Sequence, residues 1–289
     1  MLVLEGSLAA RVEAILGDRL LAAHPVRRGY SSTERWLLTG SGGRTAFAKI
    51  GSTPVSAKNL RREAAVYERL HLSCMPEVHG WDDGSPPILV LSDLSRNSWP
   101  PPWTAEQVGR VLEMIESVHS TSASLPKYVD VHDPSEDWWG RIAADPEPFL
   151  RLRIVSRGWL RRNLEALAAS ARDVSAAGTA VAHYDLRSDN ISFSSRQAYL
   201  VDWSHACLGN ARLDLGLFLP GLAAEGGPPP EAVLPAQPAV AAWVSGFFAW
   251  HASKPHIPTA PGVRTMQRLH LEAALPWATR ALGLEPAEK

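Results

Sequence analysis

Three residues with oxygen-bearing side chains follow one another closely in the chain. Asp185 precedes Asn190 by five positions, and Asp202 follows twelve positions later in the apolar setting LVDW. Residues 180–205 around them, AVAHYDLRSDNISFSSRQAYLVDWSH, contain short apolar runs that flank a polar loop, which predicts a hairpin turning at SSRQ. Carboxylate and amide oxygens are the donors that Mg²⁺ prefers, and Mg²⁺ keeps open positions for phosphate. With an aspartate beside the ion to accept a hydroxyl proton, the pattern favours Mg²⁺-dependent chemistry on phosphate.

Two other interpretations of this segment stay open from the residues alone. The isolated pattern H-x-D-x(4)-N, which begins at His183, is also compatible with a turn rich in Asx residues around a hydrogen-bonded histidine. A zinc site built from His183, His205 and Cys207 is the second alternative. It is disfavoured because H-x-C without a further pair of cysteines matches structural zinc spacing poorly.

The run HYDLRSDN followed by LVDW resembles the catalytic and metal-binding segments of the aminoglycoside phosphotransferase-like small-molecule kinases. The resemblance implies that Asp185 is the catalytic base and that Asn190 and Asp202 bind Mg²⁺. It also implies that His183 supports the loop. Asp214, in LGNARLDLGLFL, stands in the place of the family's G-x-x-x-x-D-L step, and we expect it to anchor the catalytic loop. This extension favours the kinase interpretation over the Asx turn.

Three positions in this segment depart from the family pattern. Tyr184 replaces the usual glycine, Arg187 stands where the family often has histidine, and Ser188 replaces a common proline. A guanidinium at Arg187 would be able to stabilise charge on the transferring phosphoryl oxygens, which makes it a candidate catalytic residue. The alternative is a salt bridge from Arg187 to a nearby acid such as Asp189.

A strand lysine and a helix glutamate give an independent indication of the same family. Lys49 lies in the apolar strand AFAKIG, in a chain that contains 24 arginines and only 5 lysines. Glu63 follows fourteen residues later, in the middle of a predicted helix. In the family such a pair orients the α and β phosphates of the nucleotide. Glu68 is a rival for the glutamate, and a surface lysine on a strand is the alternative for Lys49.

The segment GYSST at residues 29–33 is the candidate loop over the phosphates. Backbone amides there, including those of Ser31, Ser32 and Thr33, would donate to phosphate oxygens. The segment lacks G-x-G-x-x-G, and an ordinary hairpin turn is an equally good interpretation of it.

The run ILVLSDL resembles the segment that binds the adenine edge in this family. The resemblance implies that backbone groups near Ser92 and Leu94 make those bonds. It implies ATP and Mg²⁺ as cofactors, with GTP left open as an alternative nucleotide, and a small molecule with a hydroxyl group as the acceptor.

The order of predicted elements agrees with a two-lobed protein-kinase-like fold, an α+β protein with a small antiparallel sheet lobe and a larger, mainly helical lobe. A helix over 7–17, capped by Ser7 and closed by Gly17, precedes three strand-like runs in a meander. A helix over 56–73 and two further strands follow. The proline-rich RNSWPPPW then separates a nucleotide-binding lobe, 1–94, from a catalytic and acceptor-binding lobe, 95–289, whose first helix is capped by Thr104.

Composition excludes several classes of protein. The chain has 289 residues, 45% of them hydrophobic and 20% charged, which is typical of a globular protein rather than a disordered one. A formal charge of −1 provides no field for a nucleic acid or an anionic membrane, so neither is expected as a partner. Two cysteines, no signal-like N-terminus and no uncharged apolar run of membrane-spanning length favour a cytoplasmic protein.

The acceptor is the least defined part of the prediction. Residues 216–289, which we expect to line the acceptor cleft, carry five acids and five bases, fewer acids than a polycationic aminoglycoside would require. The same region holds five aromatic residues, which either form helix cores or line a partly apolar pocket: Trp243, Phe247, Phe248, Trp250 and Trp277. We therefore expect a hydroxyl-bearing antibiotic or metabolite of low positive charge.

Two functions from other classes remain as alternatives. A protein kinase is disfavoured because only eleven residues separate Asp202 from Asp214, too few for an activation segment that docks a peptide. A non-catalytic nucleotide-binding protein is the other, although such a protein would usually have lost one of the four key residues. Lys49, Asp185, Asn190 and Asp202 are all present.

Overall fold

The computed structural model of the protein describes residues 4–26, 29, 32–133 and 136–287. The chain divides into two compact units. The first comprises Met1–Pro100, Ala123–Leu125 and Asp189–Ala206, and the second comprises Pro101–Ser122, Pro126–Ser188 and Cys207–Lys289. This division differs from the predicted 1–94 and 95–289 because the hairpin segment pairs and packs with the first unit, through a bridge from Phe193 to Ser98 and contacts of residues 203–205 with a helix of that unit.

The helices and strands follow the predicted order. The first part of the chain contains α1 (Gly6–Leu16), β1 (Leu20–Pro25), β2 (Glu34–Gly40), β3 (Thr45–Ile50), α2 (Pro54–Arg69), β4 (Val78–Asp82) and β5 (Ile88–Ser92). The remainder contains α3 (Ala105–His119), α4 (Tyr128–Val131), α5 (Trp138–Ala144), α6 (Glu147–Leu150), α7 (Arg157–Ala171), β6 (Ala177–Ala182), β7 (Ile191–Phe193), β8 (Ala198–Leu200), β9 (Cys207–Gly209), α8 (Ala211–Ala224), α9 (Pro230–Val233), α10 (Pro238–Ala252) and α11 (Val263–Ala281).

The sheet of the first unit is antiparallel throughout and has the strand order β1-β2-β3-β5-β4. Side chains alternate between its faces, so Ala46, Ala48 and Ile50 join the apolar core beside α1, while Lys49 belongs to the opposite set. In the β2–β3 pair, Arg35 lies directly opposite Lys49. The register therefore brings two cations to neighbouring positions on one face of the sheet.

Of the helix caps predicted from the sequence, Thr104 and Gly17 are confirmed and Ser7 is not. Thr53 caps α2 through a reciprocal capping box with Ser56, and Thr104 caps α3 in the same way. Gly17 ends α1 with a left-handed φ of 63°. Ser7 is not the cap of α1, because the helix begins one residue earlier, with Glu5 at the N-cap position and no side-chain cap bond.

Helices form most of the second unit. Its core includes α7, α10 and α11, and among its members are the fully buried side chains of Trp139, Trp159, Trp243 and Trp277. The short strands β6 and β9 pair antiparallel and bracket the predicted catalytic loop along the chain. In the part of the chain that the structure describes, no helix is long and apolar enough to cross a membrane.

Candidate active site

Lys49 and Glu63 form a buried ion pair. The Nζ atom of Lys49 donates to both carboxylate oxygens of Glu63, at 2.8 and 2.7 Å. The two residues are only 3% and 2% exposed. Burial alone would lower the pKa of Lys49, but the carboxylates of Asp202 and Glu63 outweigh it and hold that pKa above its ordinary value. The structure thus joins the predicted pair, whereas the rival Glu68 is exposed.

Asp202 is joined to this pair. It follows β8 in a left-handed conformation with φ of 68°, and its carboxylate accepts a hydrogen bond from the Lys49 ammonium. The guanidinium of Arg35 lies 3.5 Å from the other oxygen of Asp202, and the Arg35 side chain is only 9% exposed. Two cations and two carboxylates therefore form one compact cluster in the first unit.

Arg35 is absent from the sequence-based prediction, although the sequence contains a signal for it. The turn GSGG between the second and third strand-like runs sets the hairpin register, and that register places residue 35 opposite residue 49. A cation directly across from a strand lysine is unfavourable unless anions lie nearby. The position therefore points to an anionic site.

Asn190 immediately precedes β7 and Asp202 follows β8, so both lie at the open end of the β7–β8 hairpin. Ile191 pairs with Leu200, and the amide of Val201 donates to the backbone oxygen of Asn190 at 3.0 Å. The hairpin turn falls at Ser194–Gln197, as SSRQ predicts. Asn190 is 2% exposed. One amide and one carboxylate suit Mg²⁺ that takes its remaining ligands from nucleotide phosphates and water.

The zinc alternative finds no support in the structure. Within the described ranges, no group of three or more His, Cys, Asp or Glu residues is placed to hold a metal ion. Burial also raises the pKa of the Cys207 thiol to about 12, so it is not a thiolate at neutral pH.

A buried carboxylate on α8 holds the predicted catalytic loop. Asp214 accepts hydrogen bonds from the backbone amides of His183 and Tyr184, at 2.8 and 2.7 Å, and its Oδ2 lies 2.9 Å from Nε2 of His119. Its side chain is 1% exposed. Asp214 thus occupies the anchoring position that the sequence predicts, and His119 is an additional partner that the motif does not reveal.

The backbone at Tyr184 explains why glycine is usual at this position. Tyr184 has φ of 57°, a left-handed conformation that costs a residue with a side chain about 1 kcal/mol or more. Its hydroxyl donates to the carbonyl of Ala176 at 2.8 Å and accepts from the amide of Asn210 at 2.9 Å. The amide of the next residue, Asp185, donates to Nδ1 of the fully buried His183 at 3.2 Å. These bonds hold the strained loop in place.

The predicted base is paired with the adjacent arginine. Nη1 of Arg187 donates to Oδ1 of Asp185 at 2.6 Å, and both side chains are partly buried. The predicted alternative of a salt bridge from Arg187 to a nearby acid is therefore present, and one such acid is the candidate base itself.

Ser188 connects the loop to the end of α8. Its hydroxyl donates to Oε1 of Glu225 at 2.6 Å, and the indole nitrogen of Trp103 donates to Oε2 of Glu225 at 2.8 Å. Glu225 is one of the five acids of residues 216–289, and no catalytic motif of the sequence includes Trp103. A proline at position 188, common in the family, would be unable to make this contact.

The candidate phosphate loop is described only in part. Ser31 lies outside the described residues. The hydroxyl of Ser32 lies 3.3 Å from that of Thr53 at the start of α2, and the carbonyl of Thr33 accepts from Arg35 at 3.1 Å. Ser32 therefore contacts the start of α2, and Thr33 contacts the charged cluster.

Backbone groups at the end of β5 are partly committed to internal bonds. The amide of Ser92 donates to Glu77, and the carbonyl of Leu94 accepts from the amide of Asn97 and the indole of Trp99. Adenine contacts by backbone groups near Ser92 and Leu94 stay a prediction.

Aromatic residues of α10 divide into core and partly exposed sets. Trp243, Phe248 and Trp277, the last on α11, are almost fully buried and belong to the core. Phe247 and Trp250 are partly buried. For the first three residues, the interpretation as a helix core is correct.

Cationic and aromatic side chains surround His251, next to the partly buried Phe247 and Trp250. The guanidinium of Arg141 lies over Trp250, and Lys254 lies over the same ring at 4.2 Å. Burial, followed by Arg264, Lys254 and Arg141, lowers the pKa of His251 to about 4, while Asp133 opposes the shift. His251 is therefore neutral at pH 7.

Comparison with known families identifies the chain. The family model APH, described as "Phosphotransferase enzyme family", matches residues 22–256. This chain belongs to that family. The phosphotransferase has no match among curated proteins.

Solved structures share the fold at low sequence identity. The aminoglycoside phosphotransferase APH(4)-Ia, as a thermostable mutant in apo form, is 14% identical, with a TM-score of 0.58 over 95% of this phosphotransferase and 97% of that chain. A protein described as a fructosamine-3-kinase of Thermobifida fusca is 22% identical, with a TM-score of 0.56 and coverage of 93% and 98%. Spectinomycin phosphotransferase APH(9)-Ia, in complex with ADP and spectinomycin, is 12% identical, with a TM-score of 0.55 and coverage of 99% and 91%. The expected two-lobed, protein-kinase-like α+β fold is confirmed.

Proposed function

We propose that this phosphotransferase moves the γ-phosphate of ATP to a hydroxyl group of a small molecule. The observation that carries the proposal is the buried Lys49–Glu63 pair with Asp202 bound to the same ammonium. A buried lysine held between two carboxylates is a cation in a fixed position, which is what the phosphates of a nucleotide require. Solved members of the fold carry AMP-PNP with hygromycin B, or ADP with spectinomycin.

Asn190 and Asp202 would hold Mg²⁺, because their side chains offer hard oxygens and the hairpin fixes both ends. When bound, the ion would neutralise charge on the phosphates. Lys49, kept in place by Glu63, would position the phosphate oxygens.

Asp185 would accept the proton of the attacking hydroxyl. It lies five residues before Asn190 along the chain, and Asp214 fixes the preceding backbone. Arg187 would orient the Asp185 carboxylate in the free protein and interact with phosphoryl oxygens when the nucleotide is present. The adenine would bond to backbone groups of Ser92 and Leu94, with GTP as an alternative nucleotide.

The acceptor would carry little positive charge. The partly buried aromatic residues of α10 lie near three cations, Arg141, Lys254 and Arg264. These cations help to lower the pKa of His251. His132, whose ring centroid lies 5.2 Å from that of Tyr184, precedes Asp133, the partner of Arg141 at 3.0 Å. These contacts link Arg141 to the catalytic loop. A polycationic acceptor would be repelled there, so an uncharged or anionic hydroxyl compound, antibiotic or metabolite, is favoured.

Calorimetric titration with ATP, in the presence and absence of Mg²⁺, tests the nucleotide site. We expect binding that depends on Mg²⁺ or Mn²⁺ and is lost in Asp202→Ala. No binding, or equal binding with and without the metal, would contradict the proposal. A panel of hydroxylated antibiotics, sugars and amino alcohols, screened for ATP consumption, would then identify the acceptor class.

A further inference from the structure

Arg35 belongs to the charged cluster and lies next to two described residues of the candidate phosphate loop, Gly29 and Thr33. Its guanidinium approaches Oδ2 of Asp202 at 3.5 Å and donates to the carbonyl of Thr33 at 3.1 Å. A Cβ atom added to Gly29, which has φ of 95°, would lie 3.1 Å from the Cζ atom of Arg35. Gly29 is therefore adjacent to the guanidinium, and a side chain at position 29 would require the guanidinium to shift.

Lys49 already uses its donors inside the protein. An ammonium group has three N–H donors. Those of Lys49 are directed to the two oxygens of Glu63 and to Asp202. Lys49 is therefore able to bind a phosphate oxygen only when one of these carboxylates, the less buried Asp202, takes another partner.

The guanidinium of Arg35 suits a phosphate group better than a single ammonium does. Arginine presents a planar fork of donors that matches two phosphate oxygens at once. The Arg35 side chain is 9% exposed, which strengthens electrostatic attraction relative to a surface arginine. A solvated arginine on a strand would need neither this burial nor an adjacent glycine.

We propose that Arg35 is a second phosphate-binding cation, which works with Lys49 on the terminal phosphates of the nucleotide. In the nucleotide-free protein, Arg35 and Lys49 hold Asp202. With nucleotide and metal bound, Asp202 would hold the metal, and Arg35 and Lys49 would hold the phosphates. The inference rests on the proposed nucleotide site and adds a residue to it. A purely structural counter-ion to Asp202 is the competing role.

Binding measurements on Arg35→Met separate the two roles, with Arg61→Met as the matched control. Arg61 is an exposed arginine on α2 paired with Asp83. Affinities for AMP, ADP and ATP, each with Mg²⁺, would be measured by calorimetry on the full chain. We expect Arg35→Met to weaken ATP binding at least 10-fold and AMP binding less than 2-fold, while Arg61→Met changes neither.

Arg35→Lys provides a second variant that keeps the charge. We expect it to fold like the parent protein and to bind ATP with an affinity between those of the parent and Arg35→Met, because the forked contact is lost. Parental ATP affinity in both variants would overturn the inference while leaving the proposed function intact. Equal weakening of AMP and ATP would also overturn it. Absence of Mg²⁺-dependent ATP binding in the parent protein would instead contradict the proposed function itself.

Discussion

Each unit contains a buried cluster of charged groups. The charged cluster of the first unit, here the Lys49 cluster, consists of Arg35, Lys49, Glu63 and Asp202. The Asp214 cluster of the second unit consists of Asp214, His119 and the backbone amides of His183 and Tyr184, and the two clusters differ in the kind of bond that holds them. In the first, Lys49 bonds to the carboxylates of Glu63 and Asp202, and Lys49 and Asp202 are 153 positions apart in the chain. In the second, the carboxylate of Asp214 binds two backbone amides of the catalytic loop. Side-chain ion pairs can exchange partners when a ligand arrives, whereas backbone amides fix the course of the chain.

This difference separates binding from loop structure. Substitutions in the Lys49 cluster should act first on nucleotide affinity and on the balance of buried charge. Substitutions around Asp214 should act on stability and on the shape of the loop that carries Asp185. Substitutions of Asp214, Lys49 and Tyr184 test this separation.

Asp214→Ala should lower the free energy of unfolding by about 3–5 kcal/mol, because it leaves buried amides and His119 without their acceptor. Urea denaturation measures the change. Asp173→Ala, at an exposed position, is the control and should stay within about 0.5 kcal/mol of the parent. Similar stability of the two variants would show that Asp214 does not anchor the loop.

Lys49→Met should cost about 3 kcal/mol of stability, because the Glu63 carboxylate stays buried without its principal cation. Adding Glu63→Gln should recover part of the loss while ATP affinity stays at least 10-fold below that of the parent. Denaturation and calorimetry on the single and double variants form a double-mutant cycle. If Glu63→Gln lowers the free energy of unfolding as much in Lys49→Met as it does in the parent protein, the two residues are not energetically coupled.

His251 makes stability depend on pH. Its folded pKa of about 4 lies below the value of 6.5 for the unfolded chain, so its contribution is complete above pH 6.5 and is lost as the pH falls towards 4. The full loss is about 3 kcal/mol. His251→Gln should flatten the thermal unfolding profile between pH 7 and 4, and His256→Gln, at an exposed position, should not. Parallel profiles for the two variants would refute the assignment.

Tyr184→Phe should lower stability by about 1 kcal/mol, because the hydroxyl's bonds to the Asn210 amide and the Ala176 carbonyl are lost while the direct bond between those two groups remains. The effect on ATP affinity should be small, since these bonds belong to the loop anchor. A large loss of ATP affinity without loss of stability would show that Tyr184 takes part in nucleotide binding rather than in anchoring the loop.

The Lys49–Glu63 pair and the hairpin that carries Asn190 and Asp202 were predictable, because local sequence patterns specify them. The strand around Lys49 and the helix around Glu63 each follow a hydrophobic period, and the spacing brings the two side chains together. The hairpin around Asn190 and Asp202 was predictable because its apolar runs flank SSRQ.

Contacts that depend on strand register or on distant segments were missed. Arg35 joins the cluster because it lies opposite Lys49, a strand register that was not predicted. Glu225 and Trp103 are 122 positions apart, and nothing local to either residue indicates their hydrogen bond. The pairing of Arg187 with Asp185 depends on rotamers within one turn of chain.

Single-turnover phosphoryl transfer by Asp185→Asn, measured beside ATP·Mg²⁺ affinity, tests the central claim most directly. The substitution is nearly isosteric, but an amide cannot take the proton of the attacking hydroxyl. We expect nearly parental nucleotide affinity and transfer slowed by roughly 10²-fold or more, the usual contribution of a general base. Unchanged transfer would remove Asp185 from the mechanism, and a joint loss of transfer, nucleotide affinity and thermal stability would show that its role is structural.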